Sequence, residues 1–184
     1  MDNRLQRKIT NLETIERFPA SEAINFVTLN EMDEVLDLGA GTGYITFAIA
    51  NLVKSVQAFD FDQDILTYIE TKAEEQSLTN VQTTQGDFKA MPFAESRFDK
   101  AIASISLHEV EPLDEALQEI YRVLKDDGLF LCIEMEKENH PTAPRVSSIE
   151  MEEAMRKAGF TIVDKRLPAT KIANQSVYVI VGKK

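Results

Sequence analysis

Short apolar runs and amphipathic stretches alternate along the chain, which predicts strands and helices in turn. Five apolar runs predict buried strands at residues 34–38, 55–60, 81–85, 98–104 and 129–135. Most of the stretches between them have apolar residues at helical spacing, as at Ile65, Leu66, Ile69 and Ala73. Strands that alternate with helices favour an α/β fold with a parallel sheet and right-handed crossovers.

Two further strands are predicted at residues 160–166 and 176–182. About ten residues lie between them, fewer than the dozen or more that a parallel crossover needs. We therefore predict an antiparallel hairpin at one edge of the sheet. No repeat or linker divides the sequence, so residues 1–184 are predicted to form one domain, with residues 1–18 as an arm or short helix covering the ligand pocket.

The first predicted strand runs into a turn with three glycines, Gly39, Gly41 and Gly43, and a helix follows. Glycine permits positive φ angles and close approach of a ligand to the backbone. A dinucleotide fingerprint would need a further glycine at Tyr44 or Thr46, and the lysine-containing phosphate loop is absent. An oxidoreductase that binds NAD is therefore the less favoured alternative.

Two acids follow the ends of neighbouring predicted strands. Asp60 lies about 20 positions after Gly39, where an acid accepts hydrogen bonds from ribose hydroxyls. Asp87 precedes Phe88, and the pair offers an acceptor and an aromatic wall for an adenine ring. The simpler alternatives are an exposed acid at the strand end for Asp60 and a turn residue after Gly86 for Asp87.

Charge and cysteine content narrow the class of ligand. The 184 residues carry a net charge of −11 without a basic cluster, which disfavours a nucleic-acid substrate and favours a small molecule. The single cysteine, Cys132, rules out an internal disulfide, and no metal site is predicted. No apolar run is long enough for a membrane span and the first residues lack a signal-peptide core, so we expect a cytoplasmic protein.

Together these residues resemble the class I S-adenosylmethionine-dependent methyltransferases, in particular the small-molecule type that includes the ubiquinone/menaquinone biosynthesis enzymes. The resemblance extends from about residue 19 to the end of the sequence. Besides Asp60, it is carried by the segments 35–43, 86–87, 91–93, 98–99, 106–110, 124–128 and 158–160.

The resemblance implies a Rossmann-like, seven-stranded sheet with the order 3-2-1-4-5-7-6, an antiparallel last strand and helices on both faces. It also implies S-adenosylmethionine as cofactor and a small-molecule methyl acceptor. Gly39 and Gly41 would pass close to the methionine part of the cofactor, and Asp37 would help to position its amino group.

The remaining implied contacts concern the nucleoside and the reacting methyl group. Asp60 would bind the ribose, and Phe61 would lie beside the adenine. Asp87 and Phe88 would hold the adenine edge, and Ser104 would lie where the loop after the fourth strand passes the methyl group.

Methyl transfer is an in-line displacement, so most of the catalytic effect comes from positioning. A general base is needed only when the acceptor loses a proton. His108 follows the fourth strand and is the best candidate base, with Glu109 and Glu134 as weaker ones, although an ordinary hydrogen-bonded histidine is an alternative. A module that binds the cofactor without catalysis also remains open.

Overall fold

An eight-stranded, mostly parallel sheet forms the centre of the protein, whose computed structural model describes residues 3–137 and 144–184. In chain order the strands are β1 (Glu34–Leu38), β2 (Ser55–Asp60), β3 (Val81–Gln85), β4 (Phe98–Ser104), β5 (Leu124–Met135), β6 (Thr161–Arg166), β7 (Lys171–Ile172) and β8 (Gln175–Lys183). Their order across the sheet is β3-β2-β1-β4-β5-β8-β6, and the two-residue β7 pairs with β8.

Helices cover both faces of this sheet, as predicted. They are α1 (Asn3–Thr14), α2 (Ala20–Ala23), α3 (Tyr44–Ile49), α4 (Gln63–Glu75), α5 (Leu113–Val123) and α6 (Ser148–Ala158). The helices α5 and α6 pack with Leu36 of β1 on one face, whereas α2 and α3 pack with the neighbouring Val35 on the other. The central strands are therefore apolar on both sides, which explains their unbroken hydrophobic runs.

The predicted strand order and the antiparallel last strand are confirmed, because β8 lies antiparallel between β5 and β6. The short β7 was not predicted and makes the last strand the eighth. Strand β5 also begins earlier than predicted, at Leu124. Phe98 pairs with Leu124 and Lys100 with Leu129, so residues 125–128 form an irregular insertion in the ladder, with Asp127 at a φ of +65°.

Local sequence signals account for both ends of α6. Ser147 Oγ accepts a hydrogen bond from the Glu150 amide at 3.2 Å, and the Glu150 carboxylate accepts from the Ser147 amide at 2.9 Å. This capping box begins α6, and Gly159 in the left-handed region ends it. Residues 3–14 form the helix α1. Within the described part of the chain, no helix is long and apolar enough to cross a membrane.

The buried side chains of β1 are expected to dominate stability. Leu36 is fully buried, so Leu36→Ala should lower the free energy of unfolding by about 2–5 kcal/mol, through lost apolar contact and the cavity left behind. The matched control is Leu167→Ala, since Leu167 is 65% exposed. Urea denaturation of both variants measures the difference, and equal losses would contradict this picture of the core.

Candidate functional site

A cleft of about 1030 Å³ lies beyond the carboxyl ends of the first four strands, where α/β sheets bind their ligands. Its walls come from the loops that follow β1, β2, β3 and β4, from Lys8 and Leu12 of helix α1, and from Ile15 just after that helix. Seven of the predicted site residues line it: Gly39, Gly41, Asp60, Phe61, Asp87, Phe88 and His108.

The glycine turn after β1 forms the floor of this cleft. Gly39, Gly41 and Gly43 all have positive φ angles, of +71°, +52° and +83°. A Cβ atom at Gly39 would lie 2.5 Å from Cβ of Ser106, so this glycine is needed for packing inside the protein. A Cβ atom at Gly41 would meet no protein atom nearer than 4.0 Å, so the space above Gly41 is open to a ligand.

Asp60 joins the loops that follow β1 and β2. Its Oδ2 accepts a hydrogen bond from the Gly41 amide and its Oδ1 one from the Asp62 amide, each at 3.0 Å. The residue is only 7% exposed, yet it lines the cleft. A carboxylate has about four acceptor positions, so Asp60 retains the capacity to accept bonds from ligand hydroxyls.

Asp37 lies below the cleft rather than in its wall. Its Oδ2 accepts hydrogen bonds from the amide and the hydroxyl of Thr46, at 2.9 and 2.6 Å. Burial raises the pKa of Asp37 to about 6, and the nearby charge of Asp60 acts in the same direction. These contacts tie α3 to β1 and so hold the glycine turn between them.

Two aromatic rings and one exposed acid line the cleft beside the glycine turn. Phe61 is 71% exposed, and the ammonium nitrogen of Lys8 lies 5.7 Å from its ring centroid. Phe88 packs against the buried Phe59, with 5.7 Å between the ring centroids. Asp87 accepts a hydrogen bond from the Lys89 amide at 2.9 Å and forms part of the rim.

The loop after β4 contributes Ile105 and Ser106 to the cleft. Ser104 is the last residue of the strand and does not line the cleft, whereas Ile105 and Ser106 do. Ile105 has a φ of +56°, which is unusual for a β-branched residue, and its amide bonds the carbonyl of Ile133 at 2.8 Å. Ser106 Oγ donates to the Leu38 carbonyl at 2.9 Å and thereby supports the glycine turn.

His108 pairs with a buried carboxylate, a contact that the sequence did not reveal. Nδ1 of His108 lies 2.9 Å from Oε2 of Glu134, which is 1% exposed. Oε1 of Glu134 accepts bonds from the amides of Leu107 and His108, at 2.7 and 3.3 Å. Nε2 of His108 lies 3.9 Å from Oε1 of the exposed Glu109.

Acidic side chains outnumber lysines around the cleft. Its described lining includes five acids and two lysines: Asp60, Asp62, Asp87, Glu109, Glu111, Lys8 and Lys89. Lys8 is ion-paired with Asp62, and Lys89 lies 3.6 Å from Asp87. The described residues contain no cluster of His, Cys, Asp and Glu that would hold a metal ion. His140, the second histidine of the sequence, lies outside the described residues.

Solved structures share the architecture of this chain. The [4+2]-cyclase SpnF has a TM-score of 0.82 and 19% identity, over 90% of this chain and 79% of that one. An S-adenosylmethionine-dependent methyltransferase from Aquifex aeolicus has a TM-score of 0.78 and 18% identity, over 100% of this chain and 98% of that one. At these identities the likeness establishes the fold.

Sequence comparison identifies the family. The demethylmenaquinone methyltransferase of Lactobacillus johnsonii is 36% identical over 113 residues, which cover 59% of this chain and 46% of that protein. The chain spans about half the length of the curated relatives it matches. The family described as a methyltransferase domain matches residues 29–181, and the chain therefore belongs to this family.

Proposed function

We propose that the protein transfers a methyl group from S-adenosylmethionine to a small-molecule acceptor. The observation that carries this proposal is the cleft itself, in which a buried Asp60 braces the glycine turn and acids outnumber lysines. Clefts with one sign of charge attract ligands of the opposite sign. The sulfonium and amino groups of S-adenosylmethionine are positive, whereas NAD would bring a diphosphate into the same acidic surroundings.

The residues present fit this cofactor. The open space above Gly41 lets a ligand approach the backbone, and Asp60 has free acceptor capacity for ribose hydroxyls. Phe61 and Phe88 offer aromatic surfaces for the adenine, and Asp87 an acceptor for its amino group. Asp37 acts indirectly, by holding the turn through Thr46.

When bound, S-adenosylmethionine supplies an electrophilic methyl group on a positively charged sulfur. The residues of this chain then have to orient the acceptor, exclude water and receive a proton where one is released. His108 is the candidate for the last role because it lies in the loop after β4 and lines the cleft. Leu12 of helix α1 and Ile15 just after it cover part of the cleft and so limit the access of water.

Binding and transfer together test this function. We expect S-adenosylhomocysteine at 100 times its Kd to stabilise the folded protein by about 2.7 kcal/mol and so to raise its melting temperature. NAD should leave the melting temperature unchanged. With methyl-labelled cofactor, we expect label to appear in one of a panel of phenols, hydroquinones, amines and thiols.

The two readouts separate the alternatives. Stabilisation by NAD alone would identify a dinucleotide-binding protein and refute the proposal. Tight binding of S-adenosylhomocysteine without transfer to any acceptor would favour a module that binds the cofactor for another purpose, and the shared fold of the cyclase SpnF shows that this architecture is not limited to methyl transfer.

Replacing Asp60 should weaken cofactor binding. Asp60→Ala removes a charged acceptor and two bonds to the loops, so we expect the affinity for S-adenosylhomocysteine to fall by about 10- to 100-fold. Asp64→Ala is the matched control, since Asp64 is an exposed acid in the first turn of α4. Calorimetry with both variants measures the effect, and equal affinities would remove Asp60 from the site.

Replacing His108 should affect turnover rather than cofactor binding. We expect His108→Ala to lower kcat by about 10²–10⁴-fold, the usual contribution of a general base, with the Kd of S-adenosylhomocysteine nearly unchanged. His140→Ala is the control because it removes the second of the two histidines. Losses of similar size in kcat and in cofactor affinity would indicate a structural role for His108.

A further inference from the structure

The pair formed by His108 and Glu134 has the arrangement of a histidine held by a carboxylate. Nδ1 of His108 lies 2.9 Å from Oε2 of Glu134, and both side chains are largely buried. Glu134 belongs to β5, whereas His108 lies in the helical turn Leu107–Glu109 that follows β4. The two residues therefore come from neighbouring strands and meet at the wall of the cleft.

The hydrogen bonds of Glu134 define which ring nitrogen of His108 carries the proton. Oε1 accepts two backbone amides, and Oε2 faces Nδ1. An ionised carboxylate can only accept, so Nδ1 must donate and Nε2 keeps its lone pair. Nε2 is the ring nitrogen nearer Glu109, which lines the cleft as His108 does.

We propose that Glu134 is a positioning residue that holds His108 in the tautomer whose Nε2 accepts a proton from the methyl acceptor. This inference rests on the proposed function and deepens it, because it defines the acceptor class. A free Nε2 serves an acceptor that loses a proton on methylation, such as a hydroxyl group or an acidic C–H group. A thioether or a tertiary amine needs no such base.

Nε2 of His108 takes the proton of the acceptor, and the electron pair left on the acceptor forms the new bond to the methyl carbon. The bond between that carbon and sulfur breaks, and its electron pair stays on the sulfur. The imidazolium cation is stabilised by Glu134 through Nδ1 and returns its proton to solvent, which regenerates the neutral ring.

The Glu134→Gln variant separates the effect of Glu134 on the tautomer of His108 from its hydrogen bonds to the backbone amides. The glutamine oxygen can still accept the amides of Leu107 and His108, but the amide nitrogen can only donate towards Nδ1. His108 must then carry its proton on Nε2, where it cannot act as a base. In Ser-His-Asp triads the corresponding Asp→Asn change gives the wrong tautomer and lowers kcat by about 10⁴-fold.

Nitrogen-15 NMR reads the tautomer directly. The sequence has two histidines, and every sample carries His140→Asn, so that only His108 remains. Long-range proton–nitrogen correlation spectra at a pH where the ring is neutral should show a protonated Nδ1 and a bare Nε2. Glu134→Gln should exchange the two signals, and Glu109→Gln, the control at the other end of the ring, should leave them as they are.

A protonated Nε2 in the protein with Glu134 intact, or identical spectra after Glu134→Gln, would overturn the inference.

Calorimetry with S-adenosylhomocysteine on the same samples keeps the two proposals apart, because we expect equal affinities in all of them. Absence of binding throughout would refute the proposed function while the spectra still decide the tautomer. With an acceptor that turns over, Glu134→Gln should lower kcat by about 10²–10⁴-fold and leave KM nearly unchanged, as expected for a lost base.

Discussion

The bonds from two backbone amides to the carboxylate of Asp60 hold the cleft together. One amide belongs to Gly41, after β1, and the other to Asp62, after β2. The Gly39 amide adds a bond of 2.8 Å to the carbonyl of Phe59, so the two neighbouring loops are fixed to each other at several points. The three glycines of the turn have no side chains to stabilise their positive φ angles, and these backbone bonds supply support.

This arrangement places negative charge where little water can reach it. After burial, which is the main cause, the charge of Asp60 also raises the pKa of Asp37, and Arg17 acts in the opposite direction. Arg17 itself lies near the turn, with its guanidinium 3.3 Å from Thr42 Oγ1 and 5.1 Å from the centroid of the Tyr44 ring. A ligand with positive groups would reduce the remaining repulsion, so the charges beside the turn favour a cationic ligand.

The elements of the fold follow closely from the sequence because the hydrophobic period decides them. Strands β1 to β4 have the predicted bounds, and the short link before β8 correctly indicated an antiparallel edge. The early start of β5 was missed because residues 125–128 carry the polar composition of a turn, and only Leu124 pairs with β4 before this insertion. The two-residue β7 was missed as well. The course of the chain after Ser104 could not be predicted either, because Ile105 lines the cleft at a left-handed φ that no local preference would indicate.

Some site residues could be predicted from the local sequence, whereas others depend on contacts between distant parts of the chain. The glycines and the acids at the strand ends could be predicted, because their positions depend only on where each strand stops. The partner of His108 could not, because it depends on the register between β4 and β5. In that register Ser104 lies opposite Ile133, which brings the next residue, Glu134, to the start of the loop that carries His108. A shift of one residue would turn Glu134 to the other face of the sheet. The pairing of β4 with β5 therefore determines that His108 meets Glu134 at the cleft.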